Sequence, residues 1–227
     1  MTSIVVEPRA ETGRARSPLT GRARWFAAAL LVAGGLLQVV EFLLEAPQGD
    51  AAARLAYWSA NAARIEWSQA AGVAAIPFLI GGFAVIVALA QRASRRVAWT
   101  AASLLTLAMV GLAAVHGFEM AAYALMRSGD PAAALALLTT DELGVGGAVL
   151  FVMFLGGAVF GIIALCVAMW RSPLVPRIAP VLVLAFAVLD FGVGWPVVSH
   201  VVMLAADVVV AAAVVTGYSR RTREGAE

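Results

Sequence analysis

Apolar residues fall in six long runs separated by short polar breaks: residues 25–44, 70–90, 97–126, 143–170, 174–194 and 197–218. A helix needs about 20 apolar residues to cross roughly 30 Å of hydrocarbon, so each run is long enough to be a membrane span. The third and fourth exceed that length and are expected to tilt or to project from the bilayer. The fifth and sixth form one stretch interrupted by Gly192-Val193-Gly194-Trp195-Pro196. Glycine and proline together end a helix and permit a tight reversal, and Trp195 suits a membrane interface. The pattern predicts an all-α polytopic bundle of six transmembrane helices.

Two of the breaks carry helical patterns of their own. Asp50 can cap a helix over residues 51–65, in which Leu55, Trp58, Ala62 and Ile65 share a face while Arg54, Asn61 and Arg64 intervene. Such a segment is expected to lie along the membrane surface. Asp130-Pro131 is a helix start for the apolar residues 132–138, and Thr139 with Glu142 has the spacing of a capping box for the fourth span. Together these segments are expected to cover one end of the bundle as a lid. Pro77 predicts a kink in the second span, and Gly157 with Gly161 predicts close helix packing.

Composition agrees with this pattern and excludes other classes. Of 227 residues, 62% are apolar and 13% charged, whereas a water-soluble domain carries about a quarter charged residues. The mean hydropathy of +0.90 with a net charge of +2 also excludes a disordered chain. The single cysteine, Cys166, cannot form an intrachain disulfide, and within an apolar run it reads as a small core residue. All sixteen basic residues are arginine, which with the abundance of alanine, valine and glycine fits coding bias in a GC-rich genome.

The arginines are dispersed among the spans, so membrane orientation explains the basic balance better than nucleic acid does. Arg9, Arg14, Arg16, Arg22 and Arg24 precede the first span, and Arg92, Arg95 and Arg96 follow the second. Arg171 and Arg177 lie between the fourth and fifth, and Arg220, Arg221 and Arg223 follow the sixth. Only Arg54, Arg64 and Arg127 fall at the other ends. The positive-inside rule then makes the larger set cytoplasmic, with both termini inside the plasma membrane. Residues 1–24 read as an arginine-rich cytoplasmic tail and not as a cleavable signal, because Glu41 and Glu45 stand where a small-residue cleavage site is needed. The expected organisation is that tail, one six-helix domain over 25–218, and a second tail over 219–227.

Ionisable residues inside a membrane are costly and mark functional sites. Gln38, Glu41 and Glu45 are three and four residues apart and share one helix face; His116 and Glu119 share another. Asp190 lies in the fifth span, and His200 and Asp207 lie two turns apart in the sixth. With the expected orientation all of them fall in the extracytoplasmic half or near the midplane, and the cytoplasmic halves carry no acid or histidine. The simplest architecture gathers Glu41, His116, Glu119, Asp190, His200 and Asp207 into one ligand-binding cavity between spans one, three, five and six. Glu119, His116 and Asp207 are expected at similar depth, with Glu41, Asp190 and His200 nearer the mouth. Glu45, Glu66 and Gln69 read as solvated groups near the interface.

Two histidines raise the possibility of bis-histidine haem or a mixed histidine–carboxylate metal site, but their unequal depths disfavour both, and no cofactor or metal is expected. No phosphate loop, dinucleotide fingerprint, nucleophile elbow or HExxH motif is present, so catalytic residues are not assigned. The absence of an internal repeat weighs against an inverted-repeat transporter.

The arginine-rich tail, the stretch from Asn61 to Trp67 and the arginine-rich breaks resemble those of uncharacterised multi-pass integral membrane proteins of GC-rich bacteria. That resemblance implies a bacterial cell-membrane location. Glu66-Trp67 ahead of an aromatic-containing span, with a late Asp190 or Asp207, is similar by analogy to small integral-membrane terpene cyclases, although no aromatic residue immediately precedes Glu66. The leading expectation is a membrane protein whose carboxylate- and histidine-lined pocket binds or moves a small amphipathic or cationic molecule. The alternatives are a membrane-embedded acid–base enzyme acting on a lipid-soluble substrate, pairing Glu119 with His116 or Asp207, and a structural subunit of a membrane complex. The lipid bilayer and the small ligand are the expected partners, and nucleic acid is not.

Overall fold

The computed structural model describes residues 19, 21–45, 49–139 and 144–219, and these are helical nearly throughout. The elements are α1 (Arg22–Leu44), α2 (Ala51–Ala60), α3 (Ala62–Ala90), α4 (Arg95–Ser128), α5 (Pro131–Leu138), α6 (Gly144–Arg171), α7 (Ile178–Ala187) and α8 (Pro196–Thr216), with a π-helical segment, Val188–Val193, extending α7. Arg9, Arg14, Arg16, Arg220, Arg221, Arg223 and Glu142 lie outside the described residues.

Among the described residues, five helices (α1, α3, α4, α6 and α8) are long and apolar enough to cross a membrane. The chain is a membrane-embedded helical bundle. The fifth apolar run is shorter than its composition implies, because its helix extends only over Ile178–Val193. Pro176 lies two residues into that run, and a proline disfavours helical conformation in the residue before it. Leu174 and Val175 are instead buried in the preceding turn. Ser172 holds that turn by donating from Oγ to the Leu89 carbonyl (2.8 Å) and accepting from the Leu174 amide (3.2 Å).

Successive long helices alternate in direction and so define two ends. Arg22, Arg24, Arg92, Arg95, Arg96, Arg171 and Arg177 gather at one, and α2 with α5 at the other. We call these the arginine end and the lid end. The main core lies toward the arginine end, where Leu31, Ile86, Leu89, Leu105, Leu165, Met169, Val183 and Val210 interlock. Cys166 is buried there, its Sγ 3.6 Å from the Pro180 carbonyl.

The lid end has its own small core of Leu55, Trp58, Ile65, Ala122, Tyr123 and Ala134, which ties α2 and α5 to α3 and α4. Asp50 and Asp130 cap these short helices as their sequences imply, accepting from Ala53 N (2.7 Å) and Ala133 N (3.0 Å). The helix expected over 51–65 is broken at Asn61, where φ is −128° and ψ 36°. Its last residues belong to α3, which therefore starts earlier than the hydropathy boundary. Thr139 Oγ1 donates back to the Leu135 carbonyl at 2.7 Å and closes α5, while Glu142, its expected capping-box partner for the next helix, lies outside the described residues.

Glycine sets how closely α4 and α6 approach. A Cβ at Gly157 would lie 2.7 Å from the Leu104 carbonyl oxygen, and one at Gly111 would lie 2.6 Å from Phe154 N. At the other junction, Gly194 adopts φ +73° between the π-helical segment and the Pro196 start of α8. The Trp195 amide donates to the Leu189 carbonyl at 3.0 Å across that reversal. Irregular helical turns of this kind recur at functional sites, and this one carries Asp190.

Candidate functional site

The polar residues of the spans form two clusters linked by a cavity. The first runs from α1 through α4 to α2. Gln38 Nε2 donates to Glu41 Oε2 at 2.7 Å, and Glu41 Oε1 lies 3.6 Å from His116 Nε2. Glu119 Oε2 lies 4.0 Å from His116 Nδ1, while Glu119 Oε1 accepts from the Arg54 guanidinium at 2.7 Å. Arg54 also approaches Glu45 Oε1 at 3.8 Å and lies over the Trp58 ring. The cluster is therefore a line of alternating donors and acceptors from the lid into the bundle.

Glu41 and His116 are buried, and His116 Nε2 has no hydrogen-bond partner among the described residues. Gly72 of α3 makes room for both: a Cβ there would meet Glu41 Oε1 at 2.5 Å and His116 Cε1 at 2.7 Å. Ser68 on the same helix donates to the Glu41 carbonyl at 3.0 Å. Arg64 donates to the Leu43 and Leu44 carbonyls, satisfying the open end of α1.

The second cluster surrounds the reversal between α7 and α8. Ser199 Oγ donates to Asp190 Oδ1 at 2.7 Å. His200 Nδ1 lies 2.7 Å from the Pro196 carbonyl and 3.7 Å from Asp190 Oδ1. A carbonyl can only accept, so the neutral imidazole carries its proton on Nδ1 and Nε2 is left with its lone pair. Phe42 stacks on the ring at 4.0 Å and Phe186 meets it edge-on at 5.3 Å. These contacts fix the ring plane.

A cavity of about 120 Å³ joins the clusters, with Gln38 and Glu41 on one side and Asp190 and His200 on the other. Its remaining walls are apolar, among them Phe83, Leu112, Phe154, Phe186 and Met203. A cavity of roughly 150 Å³ holds a benzene molecule, so this one is suited to a small molecule or the end of a larger one.

The structure does not gather all six expected residues around that space. Glu41, Asp190 and His200 line it; His116, Glu119 and Asp207 do not. Glu119 and Asp207 do not meet: Glu119 turns to Arg54 at the lid end, whereas Asp207 packs against Gly35 of α1, where an added Cβ would lie 2.7 Å from Oδ2. Gly35 precedes Glu41 by six residues, which at 1.5 Å each places Asp207 roughly 9 Å nearer the arginine end. Glu45, read as a solvated group, belongs to the first cluster. Glu66 accepts from the Tyr123 hydroxyl at 3.0 Å and does not line the cavity. Gln69 Nε2 is buried without a partner among the described residues.

Arg54 and Ser199 were not anticipated. The signal for Arg54 is its sign, a cation on a short helix at the end where acids predominate. Ser199 adjoins His200 but is silent without the fold. Among the described residues, no group of three or more histidine, cysteine, aspartate or glutamate side chains could hold a metal ion. Comparison with protein-family models, with curated proteins and with solved structures found no match.

Proposed function

We propose that this chain is a six-span protein of the bacterial plasma membrane, with its arginine end and both termini in the cytoplasm. In this reading its cavity binds a small amphipathic cation from the extracytoplasmic side. The observation that carries the reading is the cavity itself, whose apolar walls converge on Glu41 and Asp190. An aromatic or short alkyl body would fill the apolar part, and a positive head would meet the carboxylates. Burial of a lone carboxylate is costly, and a cationic ligand offsets that cost in a way a neutral one cannot. Apart from Asp207, one residue past the midpoint of α8, the arginine-end halves of the spans carry no acid or histidine, which favours binding over passage through the bundle.

The test is a thermal-shift titration of detergent-solubilised protein with benzylammonium and with its neutral counterpart, benzyl alcohol. Hydrogen bonds to a charged partner are worth about 1.5–3 kcal/mol, so benzylammonium should bind at least about tenfold more tightly. Asp190→Asn should remove that preference. Equal shifts from both compounds would overturn the reading.

A second reading draws on His116, whose two ring nitrogens face Glu41 and Glu119 at 3.6 and 4.0 Å. Such a triad suits acid–base chemistry on a lipid-soluble substrate. It differs from the first reading in its demand that Glu119→Gln abolish turnover while leaving thermal stability nearly unchanged.

A further inference from the structure

A second concavity lies on the lipid-facing side of the bundle, between α3 and α4. It encloses about 270 Å³ and is lined on α3 by Ile80, Ala84, Val87 and Gln91, and on α4 by Trp99, Ala102, Thr106 and Met109. Small side chains, Ala84, Ala88 and Ala102, are among those lining this space. Thr106 Oγ1 donates to the Ala102 carbonyl of its own helix, so its hydroxyl is satisfied without a ligand.

The α4 side of this groove repeats at three, four and three residues from Trp99 through Ala102 and Thr106 to Met109. Arg95 continues the same stripe one turn beyond Trp99, and Arg96 adjoins it. Both arginines are exposed, as is Trp99. From Gln91 to Ile80 the groove runs about 16 Å along α3 at 1.5 Å per residue. One leaflet of a roughly 30 Å hydrocarbon core is about 15 Å deep. Arg95 and Arg96 thus stand one turn beyond the Trp99 end of the groove, which extends from there as a largely apolar channel about one leaflet long.

We propose that the α3–α4 groove is a binding site for an anionic phospholipid. One acyl chain lies against Ala84, Val87, Ala102 and Met109, and the phosphate-bearing headgroup pairs with Arg95 and Arg96. Charge complementarity selects this occupant: basic residues at the membrane edge of an interhelical pocket bind anionic headgroups. A second copy of the chain fits less well. A self-complementary parallel interface would bring the same arginines together at one end. The groove shares Phe83, Leu105 and Met109 with the wall of the carboxylate cavity but none of that cavity's ionisable groups, and its existence does not depend on the ligand proposed there.

The test uses delipidated full-length protein in detergent, titrated with dioleoylphosphatidylglycerol or dioleoylphosphatidylcholine and followed by native mass spectrometry. An arginine near the surface contributes about 1 kcal/mol toward an anionic lipid, so the anionic lipid should bind about fivefold more tightly for each arginine. Arg95→Gln/Arg96→Gln should abolish the preference. Arg22→Gln/Arg177→Gln, which removes equal charge from the same end, should preserve it. Glycerol phosphate without acyl chains should not compete; if it does, the site recognises free phosphate and the lipid proposal fails. Stoichiometric phosphatidylglycerol with brominated chains should quench a fluorescence component that is absent from Trp99→Phe. Equal retention of the two lipids, a preference that survives Arg95→Gln/Arg96→Gln, or Trp99 left unquenched would each overturn the proposal.

Discussion

Glu45 closes α1 only 3.8 Å from Arg54, yet burial outweighs that attraction. Burial, reinforced by Glu119 and opposed by Arg54, pushes the Glu45 carboxyl from its ordinary 4.5 up to about 7. A group whose folded-state value is raised stabilises the fold fully below its unfolded value, and that contribution is lost as pH rises through the folded value. The window here runs from about 4.5 to about 7. The melting temperature of the solubilised protein should therefore fall across that range, and Glu45→Gln should flatten the fall. Parallel melting curves for wild type and variant would exclude Glu45 as the source. Its position near a lid was readable in the sequence, but its environment was not. Arg54 and Glu119 are 65 residues apart, and no local pattern links them.

At the level of elements, the α4–α6 contact offers a matched comparison on one helix. A Cβ on Gly157 would press into the backbone of α4, whereas nothing lies within 4 Å of one on Gly156. Gly157→Ala forces the helices apart and should cost about 1–3 kcal/mol, as overpacking typically does. Gly156→Ala only trades glycine for a better helix former and should be neutral or stabilising by up to about 1 kcal/mol. Equal stabilities of the two variants in denaturant titrations would show that the contact is not close in solution. The glycine spacing pointed to a tight interface, and the fold identified α4 as the partner. Local chemistry was more informative at the short helices. Asp50 and Asp130 cap α2 and α5 within a few residues, whereas the break at Asn61 divides a face that the apolar periodicity makes continuous.

For the whole molecule, the separation of charge into an arginine end and a lid end is what the proposed orientation rests on. Cysteine labelling in intact cells measures it, with little background from the buried Cys166. A membrane-impermeant reagent should modify Ser128→Cys at the lid end and leave Ser94→Cys at the arginine end untouched. The opposite result would invert the bundle and place the carboxylate cavity on the cytoplasmic side.

Helical class, the existence of the long helices, the segregation of arginine and the starts of α2 and α5 follow from hydropathy, charge and capping, all of which act over a few residues. The extent of α7 and the company of each buried polar group do not. Six acids and histidines on four helices were readable as costly residues needing partners. Which of them meet depends on the rotation of each helix about its axis and on its height in the bundle. Those quantities are set by packing between distant segments: Gly72 admitting Glu41 beside His116, Gly35 receiving Asp207, and Arg54 reaching down from the lid to Glu119. The tertiary structure therefore divided one expected cavity into a lidded charge cluster, a carboxylate-lined pocket and a separate buried aspartate, because a helix's hydropathy reports burial without reporting which neighbour provides it.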